Sequence, residues 1–237
     1  SSIGRTLTNS GGNYPWQVMN ESDTIQRYHM NGKLYEREEL EIIQRHSADC
    51  KTFFDVGANV GNHAIFFAKV LGARKIFAFE ANPFTVELLK TNVLLNGVGD
   101  VVDTSFTGMG LGERIGNFVV TESTPNNLGG FRLLKSDNAK TDLKIEAEIL
   151  VSPLDSLSIP DEPDFVKIDV EGMEMDVLKG MGETIRKYKP HIFIEVDQVN
   201  SAAFDKWLSD SKYVIVDRYK RYRLNENFML IHESRHQ

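Results

Sequence analysis

"FFDVGANVGNHAIFFAKVLGARKIFAFE", residues 53–80, decides the fold. A short apolar run stops at Asp55, which reads as a buried strand ending in an acid. Gly57, Asn59 and Gly61 then form a turn. "NHAIFFAKVLG" puts Ala64, Phe67, Ala68 and Leu71 at helical core spacing, with Gly72 as the stop. "KIFAFE" is a second strand-like run and it stops at Glu80. Strand, turn, helix, strand is a βαβ unit.

Downstream, "NPFTVELLKTNVLLNG" reads as a helix that Asn82 caps, Pro83 begins and Gly97 ends. "DVVDTSF" (100–106) is a third strand. A different texture follows. "GNFVV", "GGFRLL" and "KIEAEIL" are short strand-like runs between glycine, proline and asparagine turns, so residues 107–150 or so form a β insertion. Alternation then resumes. "DFVKIDVEG" is a strand and turn, "MEMDVLKGM" a helix with Met173, Val177 and Met181 on one face, "HIFIEV" a strand and "NSAAFDKWLSD" a helix. "YVIVDRY" and "NENFMLIHE" have no helix between them, which predicts an antiparallel pair at the end of the chain. Upstream, "YEREELEIIQRHSA" (35–48) reads as a helix, and residues 1 to about 33 as polar and irregular.

Alternating units of this kind predict a parallel sheet with helices on both faces, and ligands beyond the carboxyl ends of the strands. Asp55, Glu80, Asp169 and Glu195 all fall at predicted carboxyl ends. The chain divides into an N-terminal segment and helix (1–50) that caps the site, and an α/β domain (51–237) carrying the insertion.

The 237 residues suffice for one domain with a real core. A net charge of −7 argues against a broad nucleic-acid-binding face. Cys50 is the single cysteine, so no intrachain disulfide can form, and a reducing, cytoplasmic home is expected. No apolar run approaches the ~20 residues of a membrane span. The opening "SSIGRTLTNSGG" lacks the apolar stretch of a signal peptide.

Glycine turns after a first strand commonly serve nucleotides. The dinucleotide pattern is G-x-G-x-x-G, and Gly57-Ala-Asn-Val-Gly61 lacks that spacing. Asp55 would repel a pyrophosphate, which wants backbone N–H groups and a helix N-terminus. It suits a cationic ligand without phosphate, such as S-adenosylmethionine. A carboxylate such as Glu80 can accept hydrogen bonds from both ribose hydroxyls. Gly57 and Gly61 allow close backbone approach, with Ala58 and Asn62 in the same turn. Asn59 tolerates left-handed geometry or bonds the ligand's carboxylate, and Ala81 and Asn82 border the adenine. Asp55 alone would read equally well as a helix cap. The D-x-G-x-N-x-G run with a second acid-ended strand favours the ligand.

"FFDVGANVGNHAIFFA", "FAFEANPFTVELLKTNVLLNG" and "DFVKIDVEGMEMDVLKGM…KPHIFIEV" together resemble the FkbM-like methyltransferases over roughly residues 35–196. "DVGANVG" indicates the broad class, and "KIDVEGMEMDVLKG" is more specific. The resemblance implies a Rossmann-like seven-stranded methyltransferase sheet, mostly parallel with the last strand antiparallel. It implies that Asp55, Gly57, Asn59 and Gly61 line the methionine and ribose side of S-adenosylmethionine, and that Glu80 holds the ribose. "EANP" departs from the family's acid-proline pattern by one residue at Ala81. "GMGLGERIG" (108–116) resembles the segment after the third strand, which brings Met109 to the adenine.

A hydroxyl acceptor needs a general base or a metal. By strand alternation Phe165, Lys167 and Asp169 share a face, and Asp169 at the strand end is the first choice beside cofactor and acceptor. Glu171 lies in the following turn and serves in catalysis or caps the next helix. Glu195 ends the neighbouring strand and faces Asp169 across the cleft. Two such carboxylates could hold Mg²⁺, though the spacing does not establish it. Lys167, deep in a strand, reads as a structural ion pair. His63 opens the first helix as a base or an ordinary helix-end histidine. Tyr35 and Glu36 cover the methionine end, and the insertion, "ESTPNNLGGFRLL" (122–134) included, stands where a lid or acceptor wall would. Tyr14, Trp16 and Tyr28 wall the acceptor or pack on the core. The expected activity is O-methylation of a small molecule or sugar, without nucleic-acid partner. The alternatives are a nicotinamide-dependent oxidoreductase and a methyltransferase with a nitrogen or macromolecular acceptor. No "NPPY"-type tetrapeptide follows the fourth strand to grip a planar amine.

Overall fold

In a computed structural model of the protein, residues 5–7, 14–121, 133–135, 145–221 and 223–236 are described. Phe53 and Phe54 explain the centre of the fold. They alternate across strand β3 (Thr52–Val56) and therefore face opposite layers. Phe53 joins one buried cluster with Ile65, Phe67, Ile76 and Phe165, its ring 4.7 Å from that of Phe67. Phe54 joins the other with Phe77, Phe79, Val166, Ile168 and Leu178. A strand buried on both faces reads as a continuous apolar run, as this one does.

β3 pairs in parallel with β4 (Lys75–Phe79), and β4 with the short β5 (Val102–Asp103). On its other side β3 pairs in parallel with β10 (Phe165–Ile168), and β10 with β11 (His191–Asp197). β12 (Tyr213–Tyr219) and β13 (Asn225–His232) pair antiparallel, and β13 also runs antiparallel to β11. The sheet order is β12-β13-β11-β10-β3-β4-β5. Six strands are parallel and β13 alone runs against them, as expected. The chain moves outward from β3 on one side and returns through β10 on the other, so strand order reverses between them.

Helices α3 (Asn62–Lys69) and α4 (Pro83–Leu95) make the first two crossovers. Asn82 caps α4 by accepting from Phe84 N at 3.0 Å. After β10 come α5 (Glu174–Gly180) and, with only Met181 between, α6 (Gly182–Tyr188), then α7 (Ser201–Ser211) after β11. The insertion contributes β6 (Gly110–Leu111), β7 (Gly116–Thr121), β8 (Leu133–Lys135) and β9 (Ile145–Ser152), a separate four-stranded sheet of order β6-β9-β7-β8. Most of "ESTPNNLGGFRLL", residues 122–132, lies outside the described residues.

Three expectations change. The third strand is two residues long, because a tight turn starts at Thr104. α6 is an additional helix. The N-terminal segment is not wholly irregular: β2 (Trp16–Val18) pairs with β1 (Arg5–Leu7), and α1 spans Thr24–Met30. Asp23 caps α1 by accepting from Ile25 N and Gln26 N at 3.0 Å each. Trp16 is fully buried and stacks on His29 at 3.6 Å, so it packs on the core rather than walling a pocket. α2 (Arg37–Arg45) follows. Among the described residues no helix is long and apolar enough to cross a membrane.

Candidate active site

A cavity of about 600 Å³ opens at the reversal of strand order, over the carboxyl ends of β3, β4, β10 and β11. At one end the first turn builds its wall. Gly57 (φ +79°) donates to Phe79 O at 2.9 Å, and a Cβ there would stand 1.9 Å from the carbonyl oxygen of Asp169. Only glycine lets β3 leave the sheet this close to β10. Asn59 takes a left-handed conformation (φ 49°), as foreseen, and its N–H donates to Glu80 Oε2 at 2.7 Å. The Asn82 N–H donates to Glu80 Oε1 at 2.7 Å. Burial pushes the Glu80 carboxyl up from its usual range, and these two backbone bonds pull it back. Gly57, Asn59, Glu80, Ala81 and Met109 all line this end.

Five expected contacts do not reach the wall. Asp55 is fully buried below the turn, with Lys167 Nζ at 3.3 Å. Its charge therefore meets a lysine. Burial raises the Asp55 carboxyl and Lys167 opposes the rise. Burial alone would depress Lys167, but Asp55, Asp169 and Glu36 outweigh it and hold the ammonium above its ordinary value. Lys167 also donates to Gly57 O at 2.8 Å and lies 3.4 Å from Asp169 Oδ2. Asn62 accepts from Tyr35 N (2.8 Å), donates to Tyr35 O (3.0 Å) and meets His29 Nε2 at 3.1 Å, so its amide ties down the N-terminal segment. Gly61 (φ +94°) begins α3, where a Cβ would meet Leu89 Cδ1 at 2.9 Å. Ala58 packs in the core, and Asn82 is spent on its cap.

The other end gathers acids. Asp169, with a side chain 35% exposed, follows β10, and Glu195 sits on β11. Glu171 also lines the cavity; the N-cap position of α5 is Met173, so Glu171 does not cap that helix. Glu36 lines the cavity in a left-handed conformation (φ 60°) that a bulky side chain adopts only under constraint. Tyr35 is fixed on one side of it by Asn62. On the other side Arg221 pairs with Glu38 at 2.8 Å and Glu39 at 2.6 Å. Burial, then Asp169 and Glu39, push Glu36 up to about 8. Burial, then Asp169, Glu36 and Glu171, push Glu195 up to about 9, against a hydrogen bond from Asn225 Nδ2 at 3.1 Å. His63 is buried with Nε2 3.7 Å from Glu36 Oε2, and burial followed by Lys167 keeps its imidazole well below the usual value, hence neutral. Among the described residues no group of three or more His, Cys, Asp or Glu side chains is arranged to hold a metal ion.

A model of the FkbM methyltransferase domain matches residues 55–223. The chain belongs to the FkbM methyltransferase family. It is thereby an S-adenosylmethionine-dependent methyltransferase. Hexuronic acid methyltransferase AglP of Haloferax volcanii is 28% identical over 178 residues, which is 75% of this chain and 69% of that protein. The crystal structure of a methyltransferase FkbM from Methylobacillus flagellatus KT superposes with a TM-score of 0.55 at 19% identity. That match covers 77% of this chain but only 44% of the other, so this chain spans less than half the length of that protein. A ribosomal protein L11 methylase from Lactobacillus delbrueckii subsp. bulgaricus gives 0.52 at 13% identity, covering 82% and 77%. These two solved structures share the fold.

In this FkbM methyltransferase, Thr24, Ile25, Asp197, Arg223 and Leu224 line the cavity without having stood out in the sequence. "RLNEN" looks like a plain turn between two strands, and nothing local signals that it folds over the carboxyl end of β11. Tyr35 and Glu36 do line the cavity. Tyr14 and Tyr28 do not; Tyr28 is exposed, edge-on to Tyr35 at 5.2 Å.

Proposed function

We propose that this methyltransferase methylates a hydroxyl of a carbohydrate acceptor. The observation that carries the reading is the lining of the cavity. Six carboxylates (Glu36, Glu80, Asp169, Glu171, Glu195 and Asp197) surround a space that a cationic ligand would complete. Pyrophosphate would be repelled there, which sets the nicotinamide alternative aside. Each Glu80 oxygen accepts one backbone N–H and retains acceptor capacity for a ribose hydroxyl, so the donor set fits S-adenosylmethionine. The AglP relative, a hexuronic acid methyltransferase, supports a sugar as acceptor.

In this reading Glu80 holds the ribose, Gly57 and Asn59 border the methionine part, and Ala81 and Met109 flank the adenine. Residues 1–50 act as a cap, with Tyr35 and Glu36 as its inner face. The single buried Cys50 accords with a cytoplasmic setting. When bound, S-adenosylmethionine supplies an electrophilic methyl group on a sulfonium. The protein aligns the acceptor hydroxyl and takes its proton. Lys167 engages Asp169 Oδ2, which leaves Oδ1 to receive the hydroxyl's hydrogen bond. Glu195 beside it is the proton acceptor: a nearby positive charge would draw it down from about 9 toward the working pH, where a base is most effective. Glu171 adds negative charge to the same wall. Asp55 touches no ligand and is a positioning residue acting through Lys167.

Calorimetry with S-adenosylmethionine and with NAD tests the cofactor. Only the former should bind. Glu80→Gln should weaken it by roughly 10- to 100-fold, the loss of a charge-assisted bond of about 1.5–3 kcal/mol. NAD binding in place of S-adenosylmethionine, or unchanged affinity in Glu80→Gln, would refute the assignment. Mass spectrometry of sugars incubated with enzyme and S-adenosylmethionine tests the acceptor. Methylation of amine or peptide acceptors instead would overturn the carbohydrate reading.

A further inference from the structure

Arg223 is the sole cationic side chain lining the cavity among the described residues, against six carboxylates. The two nearest arginines are paired. Arg218 bonds Glu226 at 2.6 Å, and Arg221 bonds Glu38 and Glu39. Arg223 makes no ion pair with any described residue, and its side chain is exposed at the rim. It is nonetheless held in place. Two residues before it, Arg221 is anchored to α2. Two residues after it, Asn225 donates to Glu195.

Its position separates it from the ribose end. In the sheet order, β11, β10 and β3 lie between β13 and β4. At ~4.8 Å per strand, Arg223 stands on the order of 19 Å across the sheet from Glu80. Asp169 and Glu195 lie between, just after β10 and on β11. A group gripped by Arg223 is therefore on the acceptor side. Elsewhere the described wall offers an anion no cationic side chain, so one guanidinium at the far rim gives an anionic acceptor a single orientation.

We propose that Arg223 binds a carboxylate on the acceptor, so that the substrates are acidic sugars of the uronate class, docked with a hydroxyl toward Asp169 and Glu195. This rests on the reading of the site as that of a carbohydrate O-methyltransferase. Planar, paired N–H donation to a carboxylate is what a guanidinium offers and an ammonium does not.

The test is binding of methyl glucuronoside and methyl glucoside to the protein saturated with S-adenosylhomocysteine, followed by ligand-observed NMR. The wild type should bind the glucuronoside at least tenfold more tightly. Arg223→Leu should abolish that preference and Arg223→Lys retain part of it, with S-adenosylhomocysteine affinity unchanged in both. Equal or absent binding of the two glycosides to the wild type would overturn the proposal. So would a preference that survives Arg223→Leu, or a variant that loses S-adenosylhomocysteine while keeping its preference. Failure of the wild type to bind S-adenosylhomocysteine would instead strike the methyltransferase site itself.

Discussion

The two ends of the cavity are built differently. The Glu80 end comes from one βαβ unit, and its geometry is backbone geometry: a glycine that cannot carry a Cβ, an asparagine with positive φ, and two N–H groups that pin a carboxylate. The Asp169 end is assembled from Glu36, Asp169, Glu195 and Arg223, contributed by the start of α2, the end of β10, β11 and the β12–β13 connection. Long-range pairing holds them there, through Lys167, Asn62 and Arg221. Local backbone constraint suits a ligand that never varies. Side chains gathered from distant segments suit a ligand that differs from one enzyme to the next.

If the Glu80 end rests on backbone sterics, substitution there should cost most. Gly57→Ala forces both a positive φ and a collision with the Asp169 carbonyl oxygen, so a loss of more than about 4 kcal/mol is expected. Gly172 has a similar φ of +80° and nothing within 4 Å of a Cβ. Gly172→Ala should cost only about 1 kcal/mol. Denaturant unfolding of the two variants separates sterics from φ strain, and equal losses would show that the close approach of β3 and β10 is unimportant.

Lys167 joins the two ends, and its removal comes next in size. Lys167→Met strands Asp55 without a counter-ion, at a cost of about 3–5 kcal/mol. Adding Asp55→Asn should recover at least half of that, because the stranded charge is the main penalty. A double variant no more stable than Lys167→Met would mean that Lys167 matters chiefly through Gly57 O and Asp169.

The same contrast explains what the sequence could tell. Phe53, Phe54 and the second apolar run fixed strand positions because their burial on both faces leaves no other reading. Asn82, Pro83 and Gly97 marked α4 because caps are local chemistry. Glu80 could be assigned to the cavity because it directly follows Phe79, the last residue of β4. Asp55 read as a strand-end acid too, but it lies inside β3, one residue short of Val56, where its side chain meets the neighbouring strand. That neighbour carries Lys167, whose ion pairing was legible as a type though not as a partner. Arg223 and the left-handed conformation of Glu36 were invisible for a related reason. Each is positioned by contacts with residues far along the chain, and nothing in "RLNEN" or "YEREE" encodes those contacts locally.

The smallest effect concerns protons. Glu36 faces Asp169, Glu39, His63, Lys167 and Arg221; Glu195 faces Asp169, Glu36, Glu171 and Asn225. With values near 8 and 9, both carboxyls hold their protons at pH 7 in the free protein. Because the folded values lie above the unfolded one, the folded protein binds more protons than the unfolded chain across this range. Its stability must therefore fall as pH rises from about 4.5 toward 9. A cation bound between these groups favours their ionised forms and reverses the trend. Binding of S-adenosylmethionine at pH 7 should thus release roughly one proton, and affinity should rise with pH until both groups are ionised. Calorimetry at pH 7 in two buffers of different ionisation enthalpy reads the release directly. Glu195→Gln should diminish it, whereas Glu80→Gln, at the backbone-built end, should weaken binding and leave the proton count per bound ligand nearly unchanged. Proton uptake, or a release insensitive to Glu195→Gln, would mean that the positive charge of the cofactor does not reach the acid cluster, and that the two ends of the cavity are electrostatically independent.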